Sequence, residues 1–123
     1  MIITMVLNLE KIEQDLINEV KLSPIEAKVF LLVTTTGKMN ASQIATKLKI
    51  DPTDALETAK KIVNLGGFID MSATEFEAMH PRFTAVNMYR KMCMRENIGF
   101  KKNLLVDNIG VALEFHYDRA RTK

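Results

Sequence analysis

Few residues in this chain are of the types that make or break bonds. Met92-Cys93-Met94 sets one thiol between two thioethers, a run that invites a redox or soft-metal reading. Such a site needs several ligands in one place, and the only two histidines, His80 and His116, stand far apart in the chain. Cys93 therefore reads as a small packed residue, with a thiol sensor at a subunit interface as the alternative. Thr36-Gly37-Lys38 resembles the end of a phosphate-binding loop, but that loop's first glycine is missing and Met39 stands where Ser or Thr would hold magnesium. Gly66-Gly67 lacks the third glycine of a dinucleotide fingerprint. No nucleophile–histidine–acid set and no carboxylate pair has a context, so the expectation is no enzyme, no metal, no cofactor and no small-molecule ligand.

What remains is binding, and charge bounds it. The chain has 123 residues, 47% apolar and 26% charged, in the usual range of a globular domain. With one cysteine there is no intramolecular disulfide, which fits a reducing compartment. The apolar start Met1–Leu7 has no basic residue ahead of it and runs into Glu10 and Glu13, unlike a signal peptide or membrane helix; a cytoplasmic protein is expected. The net charge is only +2, but it is unevenly spread: residues 1–38 and 39–86 each sum to −1, and residues 87–123 to +4.

The elements that would carry binding residues follow from periodicity. Leu9, Ile12, Leu16, Ile17 and Val20 make one helical stripe, with Asn8 as its cap. Ser23-Pro24-Ile25-Glu26 is a capping box with proline at the first helical position, and the helix behind it is apolar nearly all round to about Thr35, which predicts a central helix. Gly37 is placed to end it in the left-handed conformation. Asn40 with Gln43 predicts a second capped helix burying Ala41, Ile44, Ala45 and Leu48; after the turn Lys49–Pro52 a further helix uses Ala55, Leu56, Ala59, Ile62 and Val63 and stops at Gly66-Gly67. Phe68–Ser72 and Phe76–His80 then alternate as a hairpin that Pro81 closes. Asn87 is read as the cap of a helix to about Glu96, and a last helix from about Asn103 carries more apolar surface than one small domain covers.

The predicted fold class is mostly α with a small β-hairpin: a winged helix-turn-helix with extra N- and C-terminal helices. It divides as 1–21 N-terminal helix, 22–86 winged domain and 87–123 C-terminal dimerisation helices. Three stretches resemble the TrmB-like winged-helix regulators of archaea. Leu22–Phe30 is similar to that family's opening pattern, Ala41-Ser42-Gln43-Ile44-Ala45 to its second helix, and Pro81-Arg82-Phe83-Thr84-Ala85-Val86 to its wing exit. The likeness covers residues 22 to about 90. It implies sequence-specific binding of double-stranded DNA by a homodimer. The effector domain that often follows in the family is not expected in so short a chain. Where members usually carry an arginine and a tyrosine at the start of the recognition helix, this chain has Asp54 and Leu56.

On that reading the helix starting near Pro52 enters the major groove. Thr53, Glu57 and Thr58 meet base edges, Glu57 accepting from a cytosine amino group and Thr58 touching a thymine methyl. Ser42, Gln43, Lys47, Lys61 and Arg82 contact phosphate, Arg82 from a strand. Met88, Met92, Leu105, Ile109, Ala112, Leu113 and His116 form the dimer interface. The alternative is a winged-helix adaptor whose acidic recognition face, with Asp51, Asp54 and Glu57, docks a basic protein. No membrane is involved in either.

Overall fold

The structure, a computed structural model, describes residues 2–122, with side chains from Leu9 to Thr122. The described residues form six helices and one small antiparallel sheet: α1 (Ile2–Glu19), α2 (Pro24–Thr36), β1 (Met39–Asn40), α3 (Ala41–Leu48), α4 (Pro52–Leu65), β2 (Phe68–Asp70), β3 (Glu75–Ala78), α5 (Pro81–Arg95) and α6 (Leu104–Arg121). Among the described residues no helix is long and apolar enough to cross a membrane.

The central helix starts as its local code dictates. Glu26 N–H donates to Ser23 Oγ at 3.2 Å and Ser23 N–H donates to Glu26 Oε1 at 2.9 Å, so two otherwise orphaned donors are satisfied reciprocally. Val29, Phe30 and Val33 are fully buried, and Phe30 begins an aromatic chain to Phe68 (6.0 Å between centroids) and on to Phe76 (6.4 Å). That chain ties α2 to the sheet. Gly37 ends the helix differently from expectation: its φ of 110° and ψ of −172° lie in a glycine region outside the left-handed helical well, which turns the chain directly into β1.

The strand β1 is the main addition to the expected architecture. Met39 pairs with Phe76 and Asn40 with Glu75, so the sheet has three strands in the order β1-β3-β2 rather than a lone hairpin. Asn40 then caps α3, whose Gln43 completes a second capping box (2.8 and 2.9 Å). Lys49 in the left-handed region makes the turn to α4, and Asp51 caps α4 by accepting from Thr53 N–H at 2.8 Å. Ala55, Ala59 and Ile62 face inward, and Gly66 (φ 95°) ends the helix in the left-handed form.

At both ends of the chain the boundaries move. The first helix begins at Ile2, so Asn8 is inside it and not its cap, while Ile12, Leu16 and Val20 are buried as the stripe required. Pro81 opens α5 instead of ending a strand: His80 is the cap, and its Nδ1 accepts the Arg82 N–H at 3.2 Å. Proline is suited to the first helical position because its missing N–H has no helical partner there. Arg82 is consequently helical and not on a strand. Asn87 lies in mid-helix, where its side-chain amide donates to the Gly66 carbonyl at 3.1 Å. The last helix starts where expected, with Asn103 as its cap; Asn103 also donates to Glu19 at 3.0 Å, fastening α6 to α1.

The C-terminal helices are corrected most. Met88, Met92, Ile109 and Leu113 are at most 3% exposed within the single chain, so core packing and not a partner covers them. Ala112 and His116 are half-buried and Leu105 is exposed. The surplus apolar surface on α6 is real but lies on Leu105 and on three residues outside the expected set: Leu104, Val111 and Phe115 are each more than half exposed. Arg121 pins the far end of α6, donating to the carbonyls of Thr34 and Tyr117 at 3.0 and 3.1 Å, pairing with Glu77 and lying over the Tyr117 ring.

Candidate functional site

Three elements converge on one surface. The starts of α3 and α4 and the tip of the β2–β3 turn border a cleft of about 360 Å³, with Asn40, Ser42, Thr53, Leu56 and Thr74 in its walls. Further along α4 a second cleft of about 390 Å³ separates Lys60, Val63 and Asn64 from Asp70, Ser72 and Ala73. The turn between the clefts is held by Ser72, whose Oγ accepts from the N–H groups of Thr74 (3.3 Å) and Glu75 (3.1 Å). The hairpin tip therefore stands beside the outer face of α4.

That face is polar and open. Thr53, Asp54, Glu57, Lys60, Lys61 and Asn64 are exposed and Thr58 is half-buried, because the apolar half of the helix is spent on the core. Ser42, Gln43 and Lys47 are exposed on the neighbouring α3. Gln43 already serves the capping box, which leaves its amide group free to donate. Asn40, Ser72 and Thr74 were missing from the expected set. In the sequence Asn40 reads only as a helix cap, and the signal for the other two is the run Ser72-Ala73-Thr74, which carries no position in space until the sheet forms.

Two of the expected phosphate contacts are committed elsewhere. Lys61 Nζ lies 3.0 Å from Glu26 Oε2, whose side chain is only 7% exposed, and so neutralises a nearly buried carboxylate. Arg82 donates to Glu114 Oε1 at 3.0 Å, where α5 meets α6. Asp51, Asp54 and Glu57 have no ion-pair partner among the described residues. Of the expected cations, Lys47 alone has no ion-pair partner among the described residues; Lys49 and Lys60 are likewise exposed and unpaired among them.

The Arg82 site has a chemistry of its own. His80, Glu114 and Asp118 can each bring one donor atom within 4.8 Å of the others, a spacing that suits a divalent cation. Two contacts argue for an ion-pair network instead. His80 Nδ1 is an acceptor from Arg82 N–H, which leaves the ring proton on Nε2, 3.3 Å from Glu114 Oε2. The Arg82 guanidinium also supplies the positive charge that a metal would bring. Its hydrogen bond is the main reason the Glu114 carboxyl sits below the ordinary glutamate range; desolvation opposes this, and the charges of Arg82 and His80 add to the lowering.

Cys93 is buried, unlike a reactive thiol. The chain matches no protein-family model, no curated protein and no solved structure.

Proposed function

We propose that the chain is a winged helix-turn-helix DNA-binding regulator, acting as a homodimer, in which α4 enters the major groove and the β2–β3 tip lies along the adjacent backbone. The order α2, β1, α3, α4, β2, β3 with a three-stranded antiparallel sheet is the order of that fold. The observation that carries the reading is the open polar face of α4 standing next to the hairpin tip. Thr53, Glu57 and Thr58 are the base-reading candidates, and Ser42, Gln43 and Lys47 the phosphate contacts. Lys61 and Arg82 drop out of the contact set because breaking their ion pairs would strand Glu26 and Glu114.

With so few uncommitted cations, affinity is modest and its salt dependence shallow. The test is binding to a randomised duplex pool about three helical turns long, read by fluorescence anisotropy at several salt concentrations. Lys47→Ala lowers the salt slope by about 1 while affinity falls for all sequences. Absence of binding at low salt overturns the reading.

A second reading, a protein-binding adaptor, is favoured by the unpaired carboxylates Asp51, Asp54 and Glu57 at the head of α4. Asp54→Arg separates the two. It strengthens duplex binding if α4 faces phosphate, and weakens capture of a basic partner if α4 is an acidic docking face.

A further inference from the structure

The chain turns from α5 into α6 through residues 96–103, and this apex is ordered yet apolar on its outside. Asn97 takes the left-handed conformation (φ 56°), and the Ile98 N–H donates to the Cys93 carbonyl at 2.8 Å, which closes the end of α5. Phe100 folds back on Tyr89, with 5.9 Å between ring centres. Even so, Met94 and Leu104 are 76% and 73% exposed, and Ile98 and Phe100 about half. A β-carbon built at Gly99, between the last two, meets nothing within 4 Å, so the apex projects into open space. Charge gathers at the same place. Residues 90–105 hold five bases (Arg90, Lys91, Arg95, Lys101 and Lys102) against the single acid Glu96, a sum of +4, whereas the whole chain sums to +2. All five bases are exposed; Lys102 lies 3.6 Å from Asp107, and Lys91, Arg95 and Lys101 have no ion-pair partner among the described residues.

We propose that this apex docks on the surface of an anionic phospholipid membrane. Met94, Ile98, Phe100 and Leu104 enter the boundary between headgroups and acyl chains, and Arg95, Lys101 and Lys102 contact the headgroups. Exposed apolar side chains interleaved with cations are the composition of an interfacial anchor, which needs no spanning helix. Lys101 and Lys102 adjoin Phe100 in the chain, and their long stems let the ring sink while the ammonium groups stay among the headgroups. A duplex would use the cations but leave the four apolar side chains unmatched. An acidic helix from a protein needs a groove to lie in. Here the apolar groups stand on a helix end, a projecting turn and a helix start, a convex shape that a fluid lipid surface accepts without a complementary cavity. The apex also lies away from the face offered to DNA. A β-carbon built at Gly66 stands 3.0 Å from Lys91 Cδ, so this end of α5 adjoins the tail of α4, about 20 Å along that helix from Thr53.

The test is co-sedimentation of the full chain with large vesicles, and it contains no DNA. Phosphatidylcholine vesicles with about one third phosphatidylserine retain the protein at about 0.1 M salt, and pure phosphatidylcholine vesicles do not. Arg95→Gln combined with Lys101→Gln weakens partitioning about tenfold or more. Met94→Gln combined with Ile98→Gln keeps every charge in place and also weakens it at least about tenfold. Met94 and Ile98 are exposed in the chain, so circular dichroism of that variant stays that of the parent. The chain has no tryptophan, so Phe100→Trp supplies a single reporter beside Tyr89. Its emission moves to the blue on the anionic vesicles and is quenched by brominated acyl chains. No retention on anionic vesicles, equal retention on neutral ones, or an unshifted emission from the bound protein overturns the proposal. So does binding that keeps its strength without Met94 and Ile98, which marks a plain polyanion site for nucleic acid or an acidic protein.

Discussion

Gly110 of α6 rests on the backbone of Arg82 at the start of α5. A β-carbon built at Gly110 stands 2.6 Å from Arg82 Cα and 3.1 Å from both Arg82 N and the Pro81 carbonyl oxygen. These are backbone atoms that no rotamer change can move aside. The crossing also fixes the depth at which Arg82 meets Glu114.

Gly110→Ala is accordingly destabilising. In an unobstructed helix the same change stabilises by about 1 kcal/mol. Here the overpacking cost, on the order of 1–3 kcal/mol, outweighs it. Urea unfolding followed by circular dichroism should show a lowered midpoint with an unchanged slope; a raised midpoint would mean that the two helices do not cross so closely.

Glu114 makes stability depend on acid. Its folded pKa is held below the ordinary 4.5 chiefly by the hydrogen bond from Arg82. A carboxylate with a lowered folded pKa contributes stability that is fully present above the unfolded value and is lost as pH falls through the folded value. Glu114→Gln should therefore be less stable than the parent at neutral pH, and the gap should close as pH falls below the ordinary glutamate range. A gap independent of pH would show that packing, and not charge, is what Glu114 contributes.

Lys61 is a stability residue before it is a contact residue. Removing its ammonium leaves Glu26 Oε2 without its partner in a nearly buried place, although Ser23 N–H still holds the other oxygen. Because Lys61 itself is largely exposed, Lys61→Ala costs about 1 kcal/mol. The same substitution at Lys47, which has no such partner, should leave the melting temperature unchanged within error. If the two variants melt alike, the Lys61–Glu26 pair carries no weight.

Much of this architecture was legible in the sequence where the code is short-range. Ser23 with Glu26, Asn40 with Gln43 and the helix stop at Gly66 each depend on residues a few positions apart and each is found as read, whereas the left-handed ending expected at Gly37 is found at Gly66 instead. The outward polar face of α4 was legible for the same reason, since its period fixes which residues oppose Ala55, Ala59 and Ile62. What failed depends on distant partners. β1 is two residues long and is defined only by Glu75 and Phe76. Pro81 suits a strand end and a helix start equally, and the packing of α6 decides between them. The periodicity of Met88, Met92, Ile109 and Leu113 announces burial without saying whether the cover is the same chain or another. The ion pairs of Lys61 and Arg82 join residues far apart in sequence, so nothing local marked those cations as occupied.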